Sequence, residues 1–398
     1  MFSHLPDPVL DPILSLSSAF REDNRPDKVD LGIGVYRNNQ GQTPIMRAIR
    51  SAESRLMETQ TTKSYVGLAG DEVFNQCIAR LVLGEATPVS DRLVAVQTPG
   101  ASGALRMLGD LIHTAQPGST VWLSDPSYVN HRPVMEAAGL KVKQYQYFCR
   151  ETKRVDIPRM LDDLSKAGSE DIVLLHGCCH NPTGADIDFA AWQAVTELAQ
   201  KNGFTPFVDL AYQGFGDGLE EDVKGLRWMA ERVEEMMITS SCSKNFGLYR
   251  ERTGAAIVIG KNASDATNAK GKILTLARAT YTMPPDHGAA LVRTVLQDPD
   301  LKQSWHQELA EMQQRLLNLR QMLCKTLRDE QGTQAFDFIE SHKGMFTVIG
   351  FSALQMGQLR NDYGIYGVND GRINIAGLSE SDISYVAKAI AQVANQKI

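Results

Sequence analysis

The 398-residue sequence predicts an α/β fold, with a mostly parallel, doubly wound sheet in a large domain and a smaller α+β domain formed by the N- and C-terminal segments. Three observations carry that expectation. Short runs rich in Val and Ile recur at residues 93–97, 120–124, 172–176, 207–210, 236–240 and 255–259. Segments with helical spacing separate several of them, at 101–113, 190–202 and 223–234, and such alternation calls for parallel strands joined by crossovers. Both flanks lose this rhythm, and at roughly 150 residues per domain the length favours two domains over one.

Taken in order, residues 1–43 form an N-terminal arm and part of the small domain, 44–310 the large domain and 311–398 the rest of the small domain. The opening Met1-Phe2-Ser3-His4-Leu5-Pro6 has no basic run before an apolar core, so no signal peptide is expected. After Pro284-Pro285, residues 301–328 space Leu309, Met312, Leu316, Leu319 and Leu323 as on one helical face and read as a connecting helix. Short strands near 345–349 and 372–375 and a helix near 379–393 complete the small domain.

Hydrophobic content of 43% and charged content of 22% exclude a disordered or fibrous chain. A net charge of −6, from 41 Lys+Arg against 47 Asp+Glu, gives no footprint for nucleic acid or an anionic membrane. Apolar runs fall far short of the roughly 20 residues that cross a bilayer. A cytoplasmic protein is expected. The six cysteines are too few for a disulfide framework, and adjacent Cys178 and Cys179 do not have zinc-site spacing. They read as reduced, buried small hydrophobes, with no metal.

Lys244, in Ser243-Lys244-Asn245-Phe246-Gly247, follows an apolar strand among small hydroxyl residues. Alone it reads as a surface ammonium, yet burial and nearby cations would free its amine to attack a carbonyl. Asn181, in His180-Asn181-Pro182-Thr183-Gly184, is either turn punctuation or an amide at the ligand-binding end of a parallel strand. Asp209, in Phe207-Val208-Asp209-Leu210-Ala211-Tyr212, needs a cationic partner if it is buried, and a protonated pyridine nitrogen would serve.

With Gly371-Arg372-Ile373-Asn374-Ile375-Ala376-Gly377, and in order from Asp11-Pro12-Ile13-Leu14 to the C-terminus, these motifs resemble the class I aminotransferases of the aspartate and aromatic amino acid group, nearest the bacterial aromatic ones. The resemblance implies the type I pyridoxal-phosphate fold, pyridoxal 5′-phosphate as cofactor, and a homodimer whose active sites are shared across the interface. It implies that Lys244 holds the cofactor aldehyde as a Schiff base and carries a proton. Asp209 would keep the ring nitrogen protonated, with His131 orienting it, and Asn181 and Tyr212 would bond the phenolic oxygen.

The phosphate needs donors, and the helix onset at Gly100-Ala101-Ser102-Gly103 has free N–H groups that favour an anion. The resemblance makes Ala101, Ser102, Ser241 and Arg252 the cradle, with Tyr65 reaching it from the neighbouring subunit. Arg372 is costly in a short apolar strand unless paired. By resemblance its planar fork grips the substrate α-carboxylate, beside Gly34, while Arg278 meets the distal carboxylate of dicarboxylic substrates across the dimer.

Two departures bear on the substrate. Tyr128 stands where most aspartate-type relatives stack a tryptophan on the cofactor, and Met283 where many have Asn or Ser before the Pro-Pro pair. Phe346 adds an aromatic wall. The expected activity is ping-pong transamination between aromatic amino acids (Tyr, Phe, Trp) and 2-oxoglutarate, with aspartate and glutamate also used; the alternative is an aspartate aminotransferase with minor aromatic activity. Rival readings are weaker. Gly32-Ile33-Gly34 lacks the third glycine of a dinucleotide fingerprint. Ser241-Cys242-Ser243-Lys244 lacks the Ser-Asp-Asn and Lys-Thr-Gly partners of penicillin-interacting serine enzymes. A binding protein with a structural Lys244–Asp209 pair would be colourless.

Overall fold

The computed structural model describes residues 2–5 and 12–396. Met1 and residues 6–11, which carry part of the N-terminal reading and the Asp11 end of the resemblance, lie outside the described residues. The chain divides into two compact units, Pro44–Arg315 and Met1–Thr43 with Leu316–Ile398.

The first unit is built on seven strands: β1 Leu93–Pro99, β2 Thr120–Asp125, β3 Lys141–Gln146, β4 Asp171–His176, β5 Thr205–Leu210, β6 Met236–Ser241 and β7 Thr253–Ile259. Their spatial order is β1-β7-β6-β5-β4-β2-β3. Only β7 runs against its neighbours; the others pair in parallel. β6 and β7 are buried along their whole length; β7 is apolar almost throughout, as a covered strand is, while β6 ends in the hydroxyls Thr239-Ser240-Ser241. Chain direction reverses between β2, which leads outward to β3, and β4, which leads back toward β5 and β6. The crevice beyond the carboxyl ends at such a reversal is where open α/β sheets take ligands.

Three expectations change. β3 was not foreseen because Lys-Val-Lys-Gln-Tyr-Gln is polar and mostly solvent-facing, as suits an edge strand. The predicted 223–234 helix covers only Lys224–Ala230 after a 3₁₀ turn. There Arg232 N–H tightens onto Met229 O and the Arg232 guanidinium lies 3.3 Å over the Trp228 ring, while Val233 turns into the core. All six cysteines are free, but Cys77 and Cys149 are only half-buried.

In the second unit, Phe346–Val348 pairs antiparallel with Arg372–Asn374, and Val29–Asp30 pairs in parallel with Ile365–Tyr366. Its core joins Val386, Ile390 and Val393 of the helix Ile383–Asn395 to Leu319, Leu323, Ile339, Met356 and Leu359. The predicted connecting helix spans Pro299–Gln331, and the unit boundary falls within it. Among the described residues no helix is long and apolar enough to cross a membrane.

Candidate active site

The carboxyl ends of β2, β4, β5 and β6 bring one buried polar cluster together. Asp209, the fifth residue of β5, is 7% exposed, and its Oδ2 accepts from His131 Nε2 at 2.8 Å. His131 is fully buried at the start of the helix His131–Ala137, with Tyr128 packed edge-on to its ring at 5.3 Å. Asp209 Oδ1 accepts from Thr239 Oγ1, its register partner on β6. Burial alone would push this carboxyl up, but the bond and charge from His131, then Thr239, carry it down to about 2. Asp209 is therefore a fixed anion at neutral pH.

From His131 the bonds continue. Its Nδ1 meets Ser127 Oγ at 2.9 Å, Ser127 meets His176 Nε2 at 3.2 Å, and Asn181 N–H donates to His176 Nδ1 at 3.4 Å. Burial, and then the neighbouring His131, push His176 down to about 3. Asn181 itself is buried and opens a cis peptide to Pro182.

Lys244 lies three residues past β6, in a turn closed by Gly247 N–H onto Lys244 O. Its Nζ sits 4.7 Å from the centroid of the buried Tyr212 ring. Burial lowers its ammonium to about 8; Asp209 opposes the fall and Arg252 adds to it. Such an amine is partly neutral at physiological pH and therefore nucleophilic.

An anion cradle adjoins it. The helix Gly100–Ala115 starts after Pro99 with no side-chain cap, leaving its first N–H groups unclaimed by any capping side chain. Gly100 has φ +68°, and a Cβ there would lie 2.7 Å from Arg252 Nη2; a Cβ on Gly254 would lie 2.7 Å from Ala101 N. Arg252, held at φ +51°, donates to Tyr249 O. Ser241 is buried and accepts from Ser243 N–H, and Ala101 and Ser102 are half-buried on the first helical turn. The donor set suits a phosphate monoester, and the neighbouring amine suits a carbonyl.

The other predicted residues stand elsewhere. Tyr65 is 88% exposed, its neighbour Val66 donating to Met283 Sδ, and Arg278 is exposed on the last turn of the helix Ala263–Thr280. Neither joins the buried cluster. Within the second unit, Arg372 is 4% exposed, donates to Gly32 O at 2.9 Å and lies 4.5 Å from the Phe346 ring. A Cβ on Gly34 would strike Phe346 Cζ at 2.8 Å, so Gly34, Phe346 and Arg372 form one corner.

The Cys178 and Cys179 thiols and the Asp222 carboxylate lie within 4.8 Å of one another. Asp222 already accepts from the N–H groups of Gly214, Gly216 and Asp217, so its oxygens cap a turn. Sequence reasoning missed Ser127 and Thr239. A hydroxyl on a fully buried strand needs a partner, and that was the available signal for Thr239.

A half-buried lysine, a buried aspartate and an anion cradle at the reversal of a doubly wound sheet define a family: the chain belongs to the class I and II aminotransferases, whose profile matches residues 26–390. It is 45% identical over 393 residues to the aromatic-amino-acid aminotransferase of Paracoccus denitrificans, covering 99% of this chain and 100% of that protein. It is 41% identical over 395 residues to the aspartate aminotransferase of Haemophilus influenzae, again covering 99% and 100%. Among solved structures it superposes with a TM-score of 0.96, at 38% identity and 99% coverage of each chain, on the aromatic-amino-acid aminotransferase of Burkholderia pseudomallei covalently bound to pyridoxal phosphate.

Proposed function

We propose that the chain transfers amino groups between aromatic amino acids (Tyr, Phe and Trp) and 2-oxoglutarate, accepts aspartate and glutamate as well, and uses pyridoxal 5′-phosphate held at Lys244. The observation that carries this reading is the lowered Lys244 amine beside the fixed Asp209 anion, in a chain with full-length aromatic and aspartate aminotransferase relatives. The uncapped helix, Arg252 and the glycines that leave no room for a side chain fit the cofactor's phosphate.

When bound, pyridoxal 5′-phosphate supplies an aldehyde for the substrate amine and a ring that accepts the electron pair released at the α-carbon. The chain's residues do the rest. Lys244 Nζ takes the substrate's α-proton and returns it. Asp209, held by His131, would favour the positive form of the ring nitrogen. Asn181 and Tyr212 would donate to the phenolic oxygen. Ala101 N–H, Ser102, Ser241 and Arg252 would hold the phosphate, joined by Tyr65 of a second subunit. Arg372 would clamp the substrate's α-carboxylate beside Gly34 and Phe346; Tyr128 would contact cofactor and substrate, and Arg278 of a second subunit would meet a distal carboxylate. Six free thiols support a reducing, cytoplasmic location.

A paired-substrate assay tests the reading. Parallel initial-velocity lines and a change in visible absorbance on adding amino acid are expected, with kcat/KM for phenylalanine at least comparable to that for aspartate. The 41% identical aspartate aminotransferase favours the second reading, an aspartate enzyme with minor aromatic activity. A strong preference for aspartate would establish it instead.

A further inference from the structure

We propose that Thr239 is a positioning residue of this site: its hydroxyl pins Asp209 Oδ1 while His131 pins Oδ2, so the carboxylate meets the site's cations with its charge already shared between two donors. Asp209 and Thr239 are direct partners across the parallel β5–β6 rung, and Thr239 Oγ1 donates to Oδ1 at 2.5 Å. Thr239 is wholly buried on a strand buried throughout. A valine of the same shape would serve that strand at least as well, so packing alone gives the hydroxyl no purpose.

The hydroxyl acts through Asp209. A donor aimed at a carboxylate stabilises the charged form and draws negative density away from its surroundings. The charged and titratable groups facing Asp209 are His131 from its helix, His176 at the end of β4, and Lys244 from the turn after β6, with Arg252 acting on Lys244 in turn. Lys244 reports the effect because Asp209 favours its ammonium. Removing the Thr239 donor strengthens the field at Lys244 and raises the pH at which Nζ loses its proton. The inference rests on the functional reading above, but its test does not depend on turnover.

The full chain would be compared with Thr239→Val, Thr239→Ala and Thr239→Ser. After cofactor removal, the pH dependence of reductive methylation at Lys244 would be followed by peptide mass spectrometry, with thermal unfolding alongside. Val and Ala are expected to raise the Lys244 midpoint by about half a pH unit or more, where one unit is a 1.36 kcal/mol difference between protonation states. Ser, which keeps the donor, should titrate like the parent chain. If Val proves too unstable to titrate, Ala supplies the same comparison. Midpoints for Val or Ala that coincide with the parent, or a Ser midpoint that moves with them, overturn the proposal. Cofactor uptake by the unaltered chain is scored separately by absorbance, and failure there overturns the functional reading while the methylation comparison still judges Thr239.

Discussion

Hydrogen-bond direction at single residues explains why the buried cluster holds together. Asn181 N–H can only donate, so His176 Nδ1 is bare and the neutral ring carries its proton on Nε2. That proton goes to Ser127 Oγ, which also meets His131 Nδ1, while His131 Nε2–H goes to Asp209. Ser127 joins the two imidazoles through a single hydroxyl. Ser127→Ala should cost about 1–3 kcal/mol, the penalty for leaving buried nitrogens unmatched. Denaturant midpoints would measure it, and a loss below about 0.5 kcal/mol would contradict the hydroxyl bridge. Lys244 has the opposite energetics. Its folded value of about 8 lies below the ordinary 10.5, so between those values the unfolded chain binds more protons and stability rises with pH. Lys244→Ala should remove that rise and abolish amino transfer while keeping the fold, as read by unfolding curves at pH 7.5 to 10.5 and by single-turnover assay.

At the scale of elements, the helix Gly100–Ala115 depends on a close approach. Gly100 combines φ +68° with Arg252 at 2.7 Å from a Cβ position, so Gly100→Ala strains the backbone and displaces the guanidinium together. Cofactor affinity should fall at least tenfold, or about 1.4 kcal/mol, measured by absorbance titration of the apoenzyme. Unchanged affinity would mean that the phosphate sits elsewhere. Legibility followed burial. β7 stood out because a strand covered on both faces is apolar at nearly every position, and β5 and β6 stood out through the runs Phe207-Val208 and Met236-Met237-Ile238. Edge strand β3 did not, because its Lys141, Lys143 and Gln144 face solvent. The end of the helix at Ala230 was also hidden, since it depends on Arg232 stacking over Trp228, a contact that helical periodicity does not encode. In the site, Lys244, Asp209 and Asn181 were legible as polar residues at or beyond the carboxyl ends of apolar strands. Thr239 and Ser127 were not, because their significance lies in the register and the turn that place them beside Asp209 and His131.

At the scale of the whole molecule, the predicted phosphate ligand Tyr65 is 88% exposed. Ile45, Met57, Val66 and Val129 of the same unit are exposed too, apolar surface of the kind a second copy covers. If Tyr65 completes the site of a neighbouring subunit, two inactive chains should repair each other. In a mixed dimer of Tyr65→Ala and Lys244→Ala chains, one site pairs an intact Lys244 with an intact Tyr65 from the other subunit, and the second site lacks both. Random re-pairing makes half the dimers mixed, with one of two sites intact in each, so activity should return to about a quarter of the unaltered enzyme. If Tyr65 instead serves its own subunit, every site in the mixture lacks either its tyrosine or its lysine, and co-refolding restores nothing. Activity of the co-refolded mixture, set against each variant refolded alone, distinguishes the two arrangements.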